Sequence, residues 1–173
     1  VHELEKALFG GFDPATHLSD HPIQELLGVD LSAYGDPGAK QAVGNWTNVD
    51  PGNEVPFVVE LDDLLRLHHL VLSRRVTTIL EFGVGKSTTV LAHALAINEG
   101  RDAGVVAADM RRSNPFELHS VDNDTSWIET ASQGLPEFLK DRCHLHHCPL
   151  EIGEFAGRLC TYYRNLPNLA PDL

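Results

Sequence analysis

The strongest constraint on this chain is an apolar run that leads directly into a glycine-rich turn and then into a helical pattern. Residues 76–83 read VTTILEFG, a short β-branched run ending in glycine, which is typical of a buried strand. Residues 86–100 read KSTTVLAHALAINEG, where apolar side chains recur at helical spacing until Gly100 ends the pattern. Together they predict a strand, a tight loop and a helix, with the loop where open α/β sheets bind ligands.

The alternation of strand and helix patterns continues along the chain. Predicted strands lie at 76–83, 115–122 and 142–150, and predicted helices lie at 60–75, 86–100 and 125–133. Strand, helix and strand in this order favour a parallel sheet with right-handed crossovers. The sequence therefore predicts an α/β fold, a Rossmann-like parallel sheet with flanking helices over residues 56–173.

Three segments fall outside this alternation. Residues 1–55 are rich in turn formers and are expected to form an irregular N-terminal extension with short helices at 2–9 and around 21–28. The stretch GRDAGVVAADMRRSNP, residues 100–115, is expected to be an inserted loop before the second strand. The stretch EFAGRLCTYYRN, residues 154–165, is expected to be a weak helix or an ordered loop.

The composition limits the class of partner. A chain of 173 residues fits one domain, and its formal net charge of −12 argues against a nucleic-acid partner, which requires a basic face. No apolar run approaches the roughly 20 residues of a membrane span. Three cysteines are sparse and odd in number, which favours a reducing, cytoplasmic compartment. We therefore expect a small-molecule ligand, and assembly into a homo-oligomer stays open.

The glycine loop can be compared with two nucleotide-binding patterns. A phosphate-binding P-loop, G-x-x-x-x-G-K-[ST], would place its first glycine at Leu80, inside the strand. A dinucleotide loop, G-x-G-x-x-G/A, fits Gly83 and Gly85, but Thr88 occupies the third position, where a side chain crowds the contact between strand and helix. The GKST stretch with Lys86 nevertheless keeps a nucleotide-triphosphate-binding enzyme as an alternative.

A third pattern, E-x-G-x-G-x-G/S, is matched by Glu81, Gly83, Gly85 and Ser87. It resembles the first motif of the class I S-adenosylmethionine-dependent methyltransferases. The resemblance implies that the glycines admit the amino-acid end of S-adenosylmethionine and that Glu81 engages its ammonium directly or through water. The N–H groups at the helix start, at Lys86 and Ser87, would receive its carboxylate.

The end of the second predicted strand would supply the next part of this cofactor site. Asp122 stands at its carboxyl end, where an acid accepts the hydrogen bonds of a ribose. Asp124 is better placed as a helix N-cap, and Asn123 and Trp127 would flank the adenine. The resemblance covers residues 57–173, where VTTILEFGVGKST, FELHSVDND and LPNLAPD follow in the family's order. It implies methyl transfer to a small-molecule or sugar-like acceptor.

The resemblance is incomplete at the end of the chain. At 30 or more residues per βαβ unit, the part after residue 76 holds about three strands, with a fourth just starting, and the resembled family has more. We therefore expect an incomplete domain of a longer or incompletely given protein, and we assign no catalytic residue. A non-catalytic Rossmann-like module that serves assembly or binding is the alternative from another functional class.

The stretch CHLHHC, residues 143–148, contains the residue types that bind zinc. On a strand, however, its two cysteines fall on opposite faces. One strand cannot wrap four ligands tetrahedrally, and no second ligand pair is evident in the sequence. A buried strand with polar edges is therefore favoured, and no metal site is predicted.

Overall fold

The structure is a computed structural model that describes residues 2–28 and 60–173. Its helices are α1 (His2–Phe9), α2 (Pro14–Asp20), α3 (Ile23–Leu27), α4 (Leu61–Ser73), α5 (Lys86–Asp109), α6 (Thr125–Gly134) and α7 (Glu137–Lys140). Its strands are β1 (Thr78–Phe82), β2 (Glu117–Asp122), β3 (Cys143–His147), β4 (Leu150–Phe155) and β5 (Arg158–Tyr163). The described part of the chain is therefore mixed α/β, as the sequence predicts.

The first three strands form a parallel sheet in the order β1–β2–β3. On the other edge of β1, the amide of Asp172 donates to the carbonyl of Thr78 at 2.8 Å, and the amide of Leu80 donates to the carbonyl of Leu173 at 2.8 Å. The predicted parallel sheet with flanking helices is confirmed, and the last residues of the chain extend along β1.

One face of the sheet packs against α4 and α5. Ile79 of β1 and Leu118 of β2 are buried in one cluster with Val71 of α4 and Leu95 of α5. Burial of an aliphatic side chain of this size stabilises the fold by about 1.5–3 kcal/mol. This cluster therefore fixes the contact between strand and helix that positions the loop from β1 to α5.

The helix α5 is longer than the sequence predicts. The expectation that Gly100 ends the helix and that an inserted loop follows is wrong, because α5 continues to Asp109. Asp102 lies in this last part, is 3% exposed and accepts a hydrogen bond of 3.1 Å from Nε of Arg75, and Val106 is also buried. These contacts outweigh the loss of about 1 kcal/mol that each glycine causes inside a helix.

The strands β4 and β5 form a separate antiparallel hairpin. Its turn contains Ala156 and Gly157 with φ of +52° and +74°, the left-handed backbone of a type I′ turn, which matches the twist of the two strands. The expectation of a weak helix or an ordered loop over residues 154–165 is therefore wrong. The hairpin leaves Phe155 and Leu159 largely exposed, at 77% and 80%.

The N-terminal segment contains more helix than expected. The predicted helices at 2–9 and around 21–28 are confirmed as α1 and α3, whereas the predicted boundary between residues 55 and 56 lies outside the described residues. The helix α2 was not predicted, although Asp13 caps it by accepting a hydrogen bond of 2.8 Å from the amide of Thr16.

A second buried cluster joins these helices to the rest of the fold. Its members come from α2, α3, α4 and α5, namely Leu18, Ile23, Leu27, Leu61, Leu64, Leu65 and Val90. The N-terminal helices are therefore packed on the side of α4 and α5. None of the helices in residues 2–28 and 60–173 combines the length and the apolar character that a membrane crossing requires.

Candidate functional site

The glycine loop, residues 83–85, leads from β1 into α5 at the carboxyl ends of the parallel strands. Gly83 has a φ of +92°, in the left-handed region that side chains disfavour, which explains a glycine at this position. Its amide donates to the carbonyl of Val121 in β2 at 2.8 Å. The first residue of the loop thus continues the pairing between β1 and β2 while it turns the chain.

The other two amides of the loop also donate within the protein. The amide of Val84 donates to Oδ2 of Asp122 at 3.0 Å, and the amide of Gly85 donates to Oγ1 of Thr88 at 3.0 Å. A phosphate-binding loop needs such amides to point at its ligand. In the glycine loop these amides donate to groups of the protein and do not point at a ligand position.

The carboxylate of Glu81 accepts hydrogen bonds from three hydroxyl groups. Oγ of Ser87 donates to Oε1 at 2.6 Å, while Oγ1 of Thr88 and Oγ of Ser120 donate to Oε2 at 2.8 and 2.6 Å. Burial raises the pKa of Glu81 above its usual value, and the three hydroxyls oppose that change. This network joins β1, β2 and the first turn of α5.

The carboxylate of Asp122 stands at the end of β2 beside the same loop. Its Oδ2 accepts from the amide of Val84 at 3.0 Å, and its Oδ1 accepts from the amide of Asp124 at 2.9 Å. Asp124 is itself the N-cap of α6, as predicted, and accepts from the amide of Ser126 at 2.8 Å. Because an ionised carboxylate has about four lone-pair sites, Asp122 keeps capacity for further donors.

The structure brings most of the predicted cofactor-binding residues together. The residues at the loop and the two strand ends are Glu81, Gly83, Gly85, Ser87 and Asp122. Two others take different positions. Nζ of Lys86 lies 3.5 Å from the carbonyl of Leu27 in α3. The side chain of Asn123 is exposed, and its backbone carbonyl lies 3.2 Å from Nε2 of His147.

Three residues of this region were not among the predicted site residues. Thr88 and Ser120 donate hydrogen bonds to Glu81. Ser120 could have been found from the sequence, because it lies two residues before Asp122 and therefore on the same face of β2. Tyr163 ends the hairpin, with its ring centroid 5.8 Å from that of Phe82. Burial and then the charge of Asp122 raise the pKa of Tyr163. The sequence did not predict the position of Tyr163, because residues 154–165 were expected to form a helix or a loop rather than a strand.

Two cavities in the described part of the chain lie away from the glycine loop. One, of about 370 Å³, is lined by Thr78 and by residues 111–114 and 168–170. The other, of about 310 Å³, lies between α6 and β3 and is lined in part by Ile128 and Leu145. Neither cavity is formed by the glycine loop, which therefore offers a ligand a set of hydrogen-bonding groups.

No protein-family model matches the chain, and no match was found among curated proteins or among solved structures. The three-stranded parallel sheet with flanking helices is compatible with a Rossmann-like fold. A function for this chain must therefore be argued from the geometry of its own residues.

Proposed function

We propose that the chain binds S-adenosylmethionine at the glycine loop, on a Rossmann-like sheet, and takes part in methyl transfer. The observation that carries the proposal is the juxtaposition of Glu81 and Asp122. These two acids stand at the ends of neighbouring parallel strands, and both are hydrogen-bonded to the segment that forms the loop and the start of α5. In open α/β sheets, this edge is where nucleoside ligands bind.

The groups of the cofactor match the groups at this edge. Three of about four lone-pair sites on the Glu81 carboxylate accept hydroxyls, which leaves one for the cofactor's ammonium. The cofactor's carboxylate would lie at the first turn of α5, at Lys86 and Ser87, where a helix has no internal acceptor for its N–H groups. The ammonium of the methionine end would thus meet a carboxylate, and its carboxylate would meet backbone N–H groups.

Asp122 would hold the ribose. Each of its oxygens accepts one backbone amide and keeps room for one hydroxyl, which suits a ribose with two adjacent hydroxyl groups. Asn123 directly follows β2, and the ring centroid of Tyr163 lies 5.8 Å from that of Phe82 at the end of β1, so we place the adenine and the acceptor near these two residues. The acceptor is proposed to be a small or sugar-like molecule, and no residue is assigned to proton transfer.

The nucleotide-triphosphate alternative is less well supported by the same contacts. A P-loop cradles phosphates with free backbone amides and a lysine that folds over them. Here the amides of the loop donate to Val121, Asp122 and Thr88, and the ammonium of Lys86 is directed at α3. The hydroxyl of Ser87 donates to Glu81 rather than facing a metal position.

One calorimetric experiment tests the proposal. The chain is titrated with S-adenosylhomocysteine and, separately, with magnesium-ATP. We expect binding of the first only, and Asp122→Asn should weaken it at least tenfold. Asp141→Asn is the matched control, because Asp141 is exposed and lies before β3, at the opposite end of the strands.

The other outcomes discriminate among the alternatives. Binding of magnesium-ATP that is lost in Lys86→Ala would replace the proposal with the triphosphate enzyme. Binding of neither ligand would favour a non-catalytic assembly module, for which the exposed Ile152 and Leu159, on one face of the hairpin, offer an apolar contact surface.

A further inference from the structure

The face of the sheet opposite α5 carries a group of histidines with one acid. Glu117 and His119 of β2 are two residues apart and therefore share a face, and His119 is in register with His144 of β3. Oε2 of Glu117 lies 3.1 Å from Nε2 of His119 and 3.4 Å from Nε2 of His144. The imidazole rings of His119 and His144 are stacked with centroids 4.6 Å apart.

We propose that Glu117, His119 and His144 form a binding site for a divalent transition metal, and specifically for Zn²⁺. This differs from the expectation of no metal site. The sequence showed no second ligand pair for the histidines of residues 143–148, but the neighbouring strand supplies it. The E-x-H pattern at 117–119 places a carboxylate and an imidazole on one face.

Two of the three separations between donor atoms are close to those of tetrahedral coordination. With metal–ligand bonds of about 2.0–2.2 Å, the donors of a tetrahedral zinc site lie about 3.3–3.6 Å apart. The separations of Glu117 from His119 and from His144 are 3.1 and 3.4 Å. The three donor atoms all lie within 4.8 Å of one another, so the third separation, between the two imidazole nitrogens, is at most 4.8 Å.

The environment of His144 gives a further indication of a ligand. Its Nε2 is buried and has no hydrogen-bond partner in the described part of the chain, although 40% of the side chain is exposed. A buried polar atom without a partner costs free energy. Coordination of a metal by this nitrogen would satisfy it, together with the carboxylate that faces it.

The surrounding groups would orient the metal ligands. Nδ1 of His119 lies 3.0 Å from Nε2 of His146, so that a proton on Nδ1 leaves Nε2 of His119 free to coordinate. Nδ2 of Asn114 donates to Oε2 of Glu117 at 2.8 Å and so fixes the carboxylate, which keeps acceptor capacity for a metal. Metal-binding histidines usually have such a partner at the other ring nitrogen.

Three protein ligands leave one tetrahedral position open. Two imidazoles and one carboxylate are a ligand set of catalytic rather than structural zinc sites. The side chains of Glu117 and His144 are 30% and 40% exposed, which leaves a path from solvent. The 370 Å³ cavity adjoins the metal site. It is lined by Asn114 and by Thr78, and Thr78 is the register partner of Glu117.

The test uses the full chain and the metal alone. Zn²⁺ is titrated by calorimetry after removal of bound metal, and Co²⁺ is added to a second sample to record its visible absorption. We expect one tight site per chain and the strong visible bands of tetrahedral Co²⁺. His144→Ala and Glu117→Gln should each weaken Zn²⁺ by about 100-fold or more, since loss of an outer partner already costs about 10–100-fold.

The controls separate this site from the other histidines. His147→Ala changes an exposed histidine on the opposite face of the same strand and should leave binding unchanged. Circular dichroism shows whether each variant keeps the fold, and His144→Ala should, because that side chain is partly exposed. The proposal is overturned if the unmodified chain binds no Zn²⁺, or if folded His144→Ala and Glu117→Gln bind it with unchanged affinity.

Discussion

His17 and His68 share a hydrogen bond between Nε2 and Nδ1 of 2.9 Å that joins α2 to α4. On its other side, Nε2 of His68 lies 3.0 Å from Nδ1 of His93 in α5. His68 is fully buried, so three imidazoles connect the N-terminal helices to the helix that follows the glycine loop. His21 and His69 lie beside the same row.

This row of histidines predicts that stability falls in acid. Burial, followed by the neighbouring histidines, lowers the pKa of His68 to about 2, and burial with His21 and His69 lowers that of His17 to about 4, against some opposition from Asp20. Both folded-state pKa values lie below the unfolded value of 6.5. At a pH between a histidine's folded-state pKa and 6.5, the unfolded chain therefore binds more protons than the folded chain. Stability is highest above about pH 6.5 and falls below it by up to about 1.4 kcal/mol per pH unit for each proton, down to about pH 4 for His17 and about pH 2 for His68.

Urea unfolding at several pH values between 7.5 and 4 measures this effect. His68→Gln should be less stable at pH 7.5 and should show a shallower loss of stability on acidification. A profile of the same slope in His68→Gln and in the unmodified chain would contradict the assignment. His147→Ala, which removes an exposed histidine outside the row, serves as the control.

Asn98 predicts a second stability effect. Its side chain is fully buried in α5, and Nδ2 donates to the carbonyls of Val71 at 3.0 Å and Val76 at 2.9 Å, at the end of α4 and just before β1. Asn98→Ala leaves both carbonyls without this donor, and we expect a loss of about 2–4 kcal/mol in the free energy of unfolding. Gln133→Ala, an exposed amide in α6, should change it by less than about 0.5 kcal/mol. A loss in Asn98→Ala no larger than in that control would be incompatible with the contact.

The sequence predicted the elements whose signal is local. The strand before Gly83, the helix after it and the cap at Asp124 all follow from short patterns, and the structure has each of them. The sequence therefore also places the site residues on these elements, such as Glu81 and Asp122, at one edge of the sheet.

The features that the sequence did not predict depend on distant residues. The end of α5 is stabilised by Arg75, which follows another helix, and the hairpin places Tyr163 beside β1. The metal-ligand group needs the register of β2 against β3, which brings Glu117 to His144. Such pairings involve residues well separated in the sequence, and no local pattern encodes them.

The unexpected length of α5 leads to a prediction about its glycines. Gly100 and Gly104 lie inside the helix, and a Cβ at either position would meet no atom within 4 Å. Gly100→Ala and Gly104→Ala should each stabilise the fold by about 0.5–1 kcal/mol, because alanine loses less backbone entropy on folding. Thermal unfolding measures the change. Gly83→Ala provides the contrast: with its φ of +92°, it should destabilise. If both helical substitutions destabilised the protein, the helix would end before Gly100.

Glu81→Gln separates ligand binding from folding at the glycine loop. Glutamine keeps the shape of Glu81, and the hydroxyls of Ser87, Thr88 and Ser120 can turn to donate to its carbonyl or accept from its amide. Since burial raises the pKa of Glu81, the ionised side chain costs free energy at neutral pH, and the variant should differ in stability by less than about 1 kcal/mol. The charge that would bind an ammonium is absent, however, so S-adenosylhomocysteine should bind at least tenfold more weakly.

The pH dependence of the same variant gives an independent reading. The folded pKa of Glu81 lies above its unfolded value, so the unmodified chain gains stability relative to Glu81→Gln as the pH falls through the folded pKa toward 4.5. Glu129→Gln makes the same chemical change at an exposed position of α6, away from the loop. Its stability at each pH and its affinity for S-adenosylhomocysteine should equal those of the unmodified chain. Unaltered affinity for S-adenosylhomocysteine in Glu81→Gln would remove Glu81 from the binding site, whereas loss of folding would show that the three hydroxyl groups require a carboxylate.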